Sequence, residues 1–350
     1  MYRPESLKEP ILEPALPIVD PHHHLWDRPA PRPGKPLPRF SMDRLADLNH
    51  SYLYDKLLAD LTSGHNVIAT VYLEANSMYR AGGPEDARSL GETEFVNGVG
   101  AMFASGGYGD IRAIAGIVGY VNLMLGDAAA DLLDAHTARA PDRFRGVRNT
   151  VPWDADTTII GARWRQGAHA YANPKFREGF RHLAPRGLSF DAWLFEPQLP
   201  DVVDLARAFP DTQIILDHAG TPLGMGAYAG RREERFPIWR DSIRALAACP
   251  NVAIKVGGLA MPFCGFDSFM SDSPASSKQL AADWEPYVET CIEAFSANRC
   301  MFESNFPVDL GTCNYAVLWN AFKRLAAGAS ADEKTALFSG TAKRVYRLAI

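Results

Sequence analysis

The run Leu16-Pro17-Ile18-Val19-Asp20-Pro21-His22-His23-His24-Leu25-Trp26-Asp27 decides how this chain is read. Its apolar opening has the makings of a short buried strand, and three of only nine histidines stand at the end of it. Side chains alternate between the two faces of a strand. Continued through the run, that alternation turns Asp20, His22 and His24 to one side and His23 to the other. Two imidazoles aimed at one spot from the carboxyl end of a strand suit a divalent metal. The competing reading is a polar loop in which the histidines fell together by chance, and their clustering in so histidine-poor a chain favours a site.

Outward from this run, apolar strands and amphipathic helices alternate. Strands are expected over 18–24, 66–74, 111–121, 144–151, 188–194, 212–218, 251–257 and 299–305. Helical spacing lies between them, in Leu53, Leu57, Leu58 and Leu61, then over 92–103, 127–140, around Val202 to Ala206, and over 239–248 and 284–296. Two further helical patterns, 315–325 and 331–346, close the chain. A proline-rich loop is expected from Arg28 to Phe40, with a polar stretch opening at Ser41 and Asp43. Eight strands alternating with helices describe an α/β fold, a (β/α)₈ TIM barrel with enlarged βα loops, spanning 1–350 as a single domain. A doubly wound open sheet is the alternative, but no Gly-rich phosphate turn follows the first strand.

Bulk properties narrow the function. The 350 residues are 47% hydrophobic and 22% charged with net charge −5, so no basic face advertises nucleic acid. Five cysteines without a CxxC pair suit reduced thiols in a cytosolic protein. The first seventeen residues lack the apolar core of a signal peptide, and no run approaches a membrane span. A cytoplasmic protein acting on a small molecule is expected, with its oligomeric state unread.

In a barrel of this kind the site is built at the carboxyl ends of the strands. Those ends hold His22, His24, Glu74, Arg148, Asp191, His218, Glu303 and Asn305. Arg148 suits a substrate carboxylate through its planar fork, or else a structural ion pair. Asp191 and Glu74 stand open between the same two roles. Alternation turns Asp217 away from the axis, as a partner to another site group, and Lys255 reads as an interior charge partner. His50, His65, His136, His169 and His182 fall in loops or helices and take no role. No Cys/His arrangement and no Gly-Xaa-Ser-Xaa-Gly elbow marks a nucleophile.

The motifs DPHHHLWD, FRGVRN, LSFDAWL, LDHAGTP, NVAIKVGGL and RCMFESNFPVD resemble, in order, those of the amidohydrolase superfamily. The branch is the amidohydrolase-related one that includes sugar lactonases and 2-pyrone-4,6-dicarboxylate lactonase. The resemblance implies that His22 and His24 bind a divalent metal or, in metal-free members, the substrate, and that His218 is the strand-six histidine. The family ends strand eight with a Gly-Ser-Asp-Trp-Pro type sequence whose Asp binds metal and acts as base. Here that position holds Asn305, which cannot take a proton at neutral pH. Glu303, two residues back on the inward face, and Asp309, in the loop beyond, are the carboxylates within reach.

The expected function is hydrolysis of a small carboxylated, and so anionic, lactone or related cyclic ester. In one version a Zn²⁺-like ion on His22, His24 and His218 polarises the carbonyl, and in the other the histidines bind the oxyanion directly. His218, Glu303 and Asn305 are the expected catalytic positions, and Glu74, Arg148 and Asp191 the substrate-binding ones. Two alternatives stand beside it: a non-oxidative decarboxylase of an aromatic or unsaturated acid, and a barrel that has lost catalysis and only binds a ligand.

Overall fold

The structure is a computed structural model and describes residues 6–28, 50–160 and 167–350. Eight parallel strands follow one another in sequence order: β1 Pro17–His23, β2 Asn66–Leu73, β3 Arg112–Gly119, β4 Phe144–Arg148, β5 Ser189–Ala192, β6 Ile214–Leu216, β7 Val252–Val256 and β8 Cys300–Phe302. They are rich in Val and Ile and buried along nearly their whole length, as parallel strands covered on both faces must be. β8 and β1 join through one parallel bridge, His23 to Phe306, flanked by backbone bonds from Asn305 N to His22 O and from His24 N to Phe306 O. The result is a nearly closed (β/α)₈ barrel.

The helices that cover it are α1 Tyr54–Leu61, α2 Leu90–Ala104, α3 Ala129–Arg139, α4 Pro174–Phe180, α5 Leu199–Ala208, α6 Arg232–Ala247, α7 Ser277–Phe295 and α8 Tyr315–Leu325. α4, which has no counterpart among the expected helices, starts at an Asn173 cap whose side chain accepts from Lys175 N. α6 and α7 begin well before their expected starts and run through Pro237 and Pro286. A Ser276 cap on Gln279 N sets the start of α7. The closing helical pattern is broken by a π-helical turn, Ala336–Gly340. All five cysteines are unpaired and buried. Among the described residues no helix is long and apolar enough to cross a membrane. The expected proline-rich loop beyond Arg28 and the opening at Ser41 and Asp43 lie outside the described residues.

The barrel interior below the site is a separate apolar layer. Val19, Val71, Val118, Ile215, Ala253 and Met301 point inward and meet Ala342, Val345 and Tyr346 from the closing segment, which seals the amino ends of the strands.

Beside the mouth, the two-stranded ribbon of Trp26–Asp27 and Ser51–Tyr52 is fastened to α1 by Tyr52 Oη, which donates to Asp60 Oδ2 at 2.7 Å. Burial pushes the Asp60 carboxyl up from 3.8 to about 6, against the lowering effect of the Tyr52 bond. The fold therefore prefers protonated Asp60. That stabilisation is complete below pH about 3.8 and is lost as pH rises through about 6. Asp60→Asn cannot ionise, so its melting temperature should gain on that of the parent between pH about 4 and about 8. Paired thermal melts check this, and a gap that stays constant with pH contradicts it.

Candidate active site

His22 is the hub of the polar cluster above the apolar layer. β1 shifts register between Asp20 and His23, so the simple alternation fails. Asp20 faces the helices, where it accepts from Tyr315 Oη and Ser304 N, both at 3.0 Å, while His22 turns into the barrel. His23 faces outward onto Thr70 Oγ1 at 2.8 Å, as expected. His24 Nδ1 donates to Leu73 O at 2.9 Å, which leaves its Nε2 with a lone pair, 3.2 Å from His22 Nε2.

The opposite side of His22 meets β6 and β8. His218 follows β6 with φ of 57°, and this left-handed turn lets Asp217 and His218 both enter the site although they are consecutive. The expected off-axis placement of Asp217 is thereby corrected: its Oδ1 lies 3.8 Å from His22 Nδ1 and its Oδ2 accepts from Arg148. Glu303 Oε1 accepts from His218 Nδ1 at 2.7 Å and from His218 N at 3.0 Å. Its Oε2 approaches His22 Nδ1 to 2.7 Å without hydrogen-bond geometry and, among the described residues, has no hydrogen-bond partner. Asn305 is turned away by its own left-handed backbone (φ 54°), and its amide donates to Asp309 Oδ1 at 2.8 Å. The carboxylate that reaches the histidines is Glu303.

Room for this comes from Gly257 and Gly258 after β7, a pair that carried no role in the sequence reading. A Cβ on Gly257 would stand 2.4 Å from Glu303 Cγ, and one on Gly258, whose φ is +64°, would stand 2.4 Å from His218 Nδ1. Gly258→Ala is expected to cut kcat by about 10²-fold or more by displacing the His218 ring. Gly98→Ala on α2, with nothing within 4 Å of its Cβ, is the control and should leave kcat unchanged. Steady-state kinetics with matched circular dichroism check the pair.

Beneath His22 lies a chain of ion pairs. Lys255 Nζ lies 2.6 Å from Asp191 Oδ1, 3.0 Å from Asp217 Oδ1 and 3.2 Å from His22 Nδ1. Tyr346 Oη, from the closing segment, also donates to Asp191. Arg148 spends its fork inside the protein: Nε on Glu74 Oε1 at 2.8 Å, Nη2 on Glu74 O at 2.7 Å, and Nη1 on Asp217 Oδ2 and His22 Nε2, both at 3.3 Å. Glu74 and Arg148 are thus brought to the site as each other's partners, and Asp191 as the partner of Lys255. Lys255 and Tyr346, absent from the expected site set, join them.

Burial, with Lys255, His218 and Arg148 nearby, holds His22 well below the usual histidine range, and burial with Arg148 does the same for His24. Burial alone would raise Asp217, but Lys255, His218 and Arg148 hold it below its ordinary value. Burial raises Asp191 to about 6 even against Lys255.

His22, His218 and Glu303 offer ligand atoms all within 4.8 Å of one another, and His24 adjoins them through His22. The imidazoles of His22 and His24 are kept neutral, as ligands must be. Glu303 Oε2 is a buried oxygen with nothing to bind. Four carboxylates (Glu74, Asp191, Asp217, Glu303) outnumber the fixed cations Arg148 and Lys255 in this buried cluster. Against this, each ring nitrogen of His22 already has a cation within 3.3 Å. Donor chemistry and charge together fit a divalent ion.

A family model described as amidohydrolase matches residues 19–348. The uncharacterized protein y4mH of Sinorhizobium fredii is 35% identical over 341 residues, covering 95% of this chain and 98% of that protein. L-fucono-1,5-lactonase of Burkholderia multivorans is 29% identical over 244 residues, 68% of this chain and 73% of the relative. A crystal structure of an amidohydrolase from Burkholderia multivorans with bound Zn superposes with a TM-score of 0.67 at 25% identity, covering 95% of this chain and 99% of that one.

Proposed function

The chain belongs to the amidohydrolase family, in its lactonase-like branch, and on that footing we propose that it hydrolyses a lactone or related cyclic ester at the barrel mouth. The observation that carries this is Glu303, clamped through Oε1 by two donors of His218 while Oε2 stays unpartnered beside His22. A carboxylate held on one oxygen and unsatisfied on the other is placed to take a proton. Glu303 Oε2 accepts it from the attacking water as the C–O bond of the tetrahedral adduct forms. It returns the proton to the ring oxygen as the ester bond breaks, so water and lactone become a hydroxy acid and Glu303 is restored. On the other side of His22, the Arg148 guanidinium, its N–H groups spent on Glu74, Asp217 and His22, adds positive charge that lowers the energy of an oxyanion through space.

His22, His218 and Glu303 are the residues that would hold a divalent ion, with His24 alongside, and Zn²⁺ is the ion proposed. Such an ion supplies polarisation of the carbonyl and a lowered pKa for water. The fucono-lactonase relative supports the reaction class, and the Zn-bound amidohydrolase supports the ion. The carboxylated substrate expected from Arg148 loses its anchor, because that guanidinium is occupied by Glu74 and Asp217.

The test is a lactone panel followed by acid release, run with protein purified without chelator, with elemental analysis and with readdition of Zn²⁺ or Mn²⁺ after chelation. Acid release that depends on His22 is expected. CO₂ evolution with proton uptake would make the protein a decarboxylase instead. Tight ligand binding with no turnover of any lactone, amide or carboxylate would mark a binding protein.

A further inference from the structure

The loops around the mouth bear on which lactone is bound. Trp26 after β1, Phe195 after β5, Met225 after β6, Phe263 after β7 and Val308 after β8 belong to one buried apolar cluster, against which Trp193 packs half-buried. Two indoles from this cluster flank the site histidines. The Trp26 ring stacks on His24, with centroids 5.9 Å apart and planes at 23°. Trp193 meets His218 edge-on at 6.2 Å and 80°, with the Arg148 guanidinium 5.8 Å from the same indole. Trp193 keeps part of its surface open beside the ring that clamps Glu303.

Several polar groups of these loops are spent on the loops themselves. Trp193 Nε1 donates to Thr221 Oγ1 at 3.2 Å, Gln198 Nε2 to Val151 O at 2.8 Å, and Tyr228 Oη to Asp154 Oδ2 at 2.7 Å. Arg235 is held by Glu196 at 2.7 Å. The two cations of the site, Arg148 and Lys255, are already outnumbered by carboxylates. A sugar hydroxyl packed against Trp193 gives up water and finds these loop groups already bonded to one another. A substrate carboxylate finds both of these cations already bonded, Arg148 to Glu74 and Asp217 and Lys255 to Asp191 and Asp217. An aromatic or aliphatic ring loses nothing polar and gains contact with Trp193.

We propose that the site takes an uncharged lactone with an aromatic or aliphatic body, in preference to a polyhydroxylated or a carboxylated one. The proposal rests on the hydrolase reading for the bond that is cut, and on the loops for the ring that is held.

Binding is measured first, by calorimetry on the full-length protein with ring-matched lactams that resist hydrolysis: 3,4-dihydroquinolin-2-one and a hexono-1,5-lactam. The apolar lactam should bind about 100-fold tighter or better. Trp193→Ala should weaken it by about 10-fold and leave the sugar lactam unchanged. Equal affinities, or tighter binding of the sugar lactam or of 2-pyrone-4,6-dicarboxylate, overturn the proposal. Turnover of dihydrocoumarin and of a sugar lactone is then read separately. If the apolar lactam binds tightly and no lactone is hydrolysed, the ligand preference stands and the hydrolase reading falls. If the sugar lactone is the better substrate by kcat/KM, the hydrolase reading stands and the preference falls.

Discussion

Glu303→Gln should lower kcat on any lactone substrate by on the order of 10³-fold, with little change in KM. The substitution keeps shape and volume. A glutamine carbonyl can still accept from His218 N and Nδ1, the two donors that hold Oε1, so the variant should fold and melt near the parent. What it loses is the capacity to take and return a proton at the atom beside His22. It also puts an NH₂ where the buried, unpartnered oxygen stood 2.7 Å from His22 Nδ1. The same exchange removes a carboxylate from the donor set, so metal content should fall along with kcat. Steady-state kinetics, elemental analysis and thermal melts on one preparation separate these effects. A kcat within about tenfold of the parent would remove Glu303 from the chemistry.

Lys255→Met should have the largest effect on stability. Lys255, Asp191 and Asp217 are all fully buried, and Lys255 is the only cation that bonds Asp191 among the described residues. Removing one member of such a group strands buried charge and costs about 3–5 kcal/mol, a fall in Tm on the order of 10 °C for a chain of this size. Without Lys255 the Asp191 carboxyl moves further above its present value of about 6. Between pH about 5 and about 8 the folded variant then binds more protons than the unfolded chain, so its stability falls as pH rises. The gap to the parent should therefore narrow at the acid end. Lys255→Met combined with Asp191→Asn should recover part of the loss, since the two positions share one interaction. Denaturant melts of the four proteins at two pH values measure both effects, and additive losses would show that the pair is not coupled.

Much of this molecule was legible because parallel strands must be apolar on both faces, and eight such runs stand out between helical patterns. The carboxyl ends of those runs pointed to His22, His24, His218, Glu303 and Arg148, which the structure gathers into one cluster. The errors come from places where backbone conformation overrides the two-residue period. A register shift in β1 puts Asp20 outside while His22 stays inside. Left-handed backbone at His218 brings Asp217 in, and at Asn305 it sends the amide to Asp309. Outside glycine, residue type signals such conformations only weakly, since His and Asn are enriched in them but still adopt them in a minority of cases. A signal was present in Gly257-Gly258, where two missing side chains open the space that Glu303 and His218 fill. Tyr346 was out of reach altogether, since a contact 155 positions from Asp191 leaves no local trace.

The apolar layer under the site gives the barrel a floor. With Val345 and Tyr346 packed against the inward side chains of the strands, the described residues fill the barrel below the site. Substrate and product then share the mouth, and the hydroxy acid has to vacate before the next lactone can enter. Product should therefore inhibit competitively, and slow exit would set the pace of turnover however fast the bond is cut.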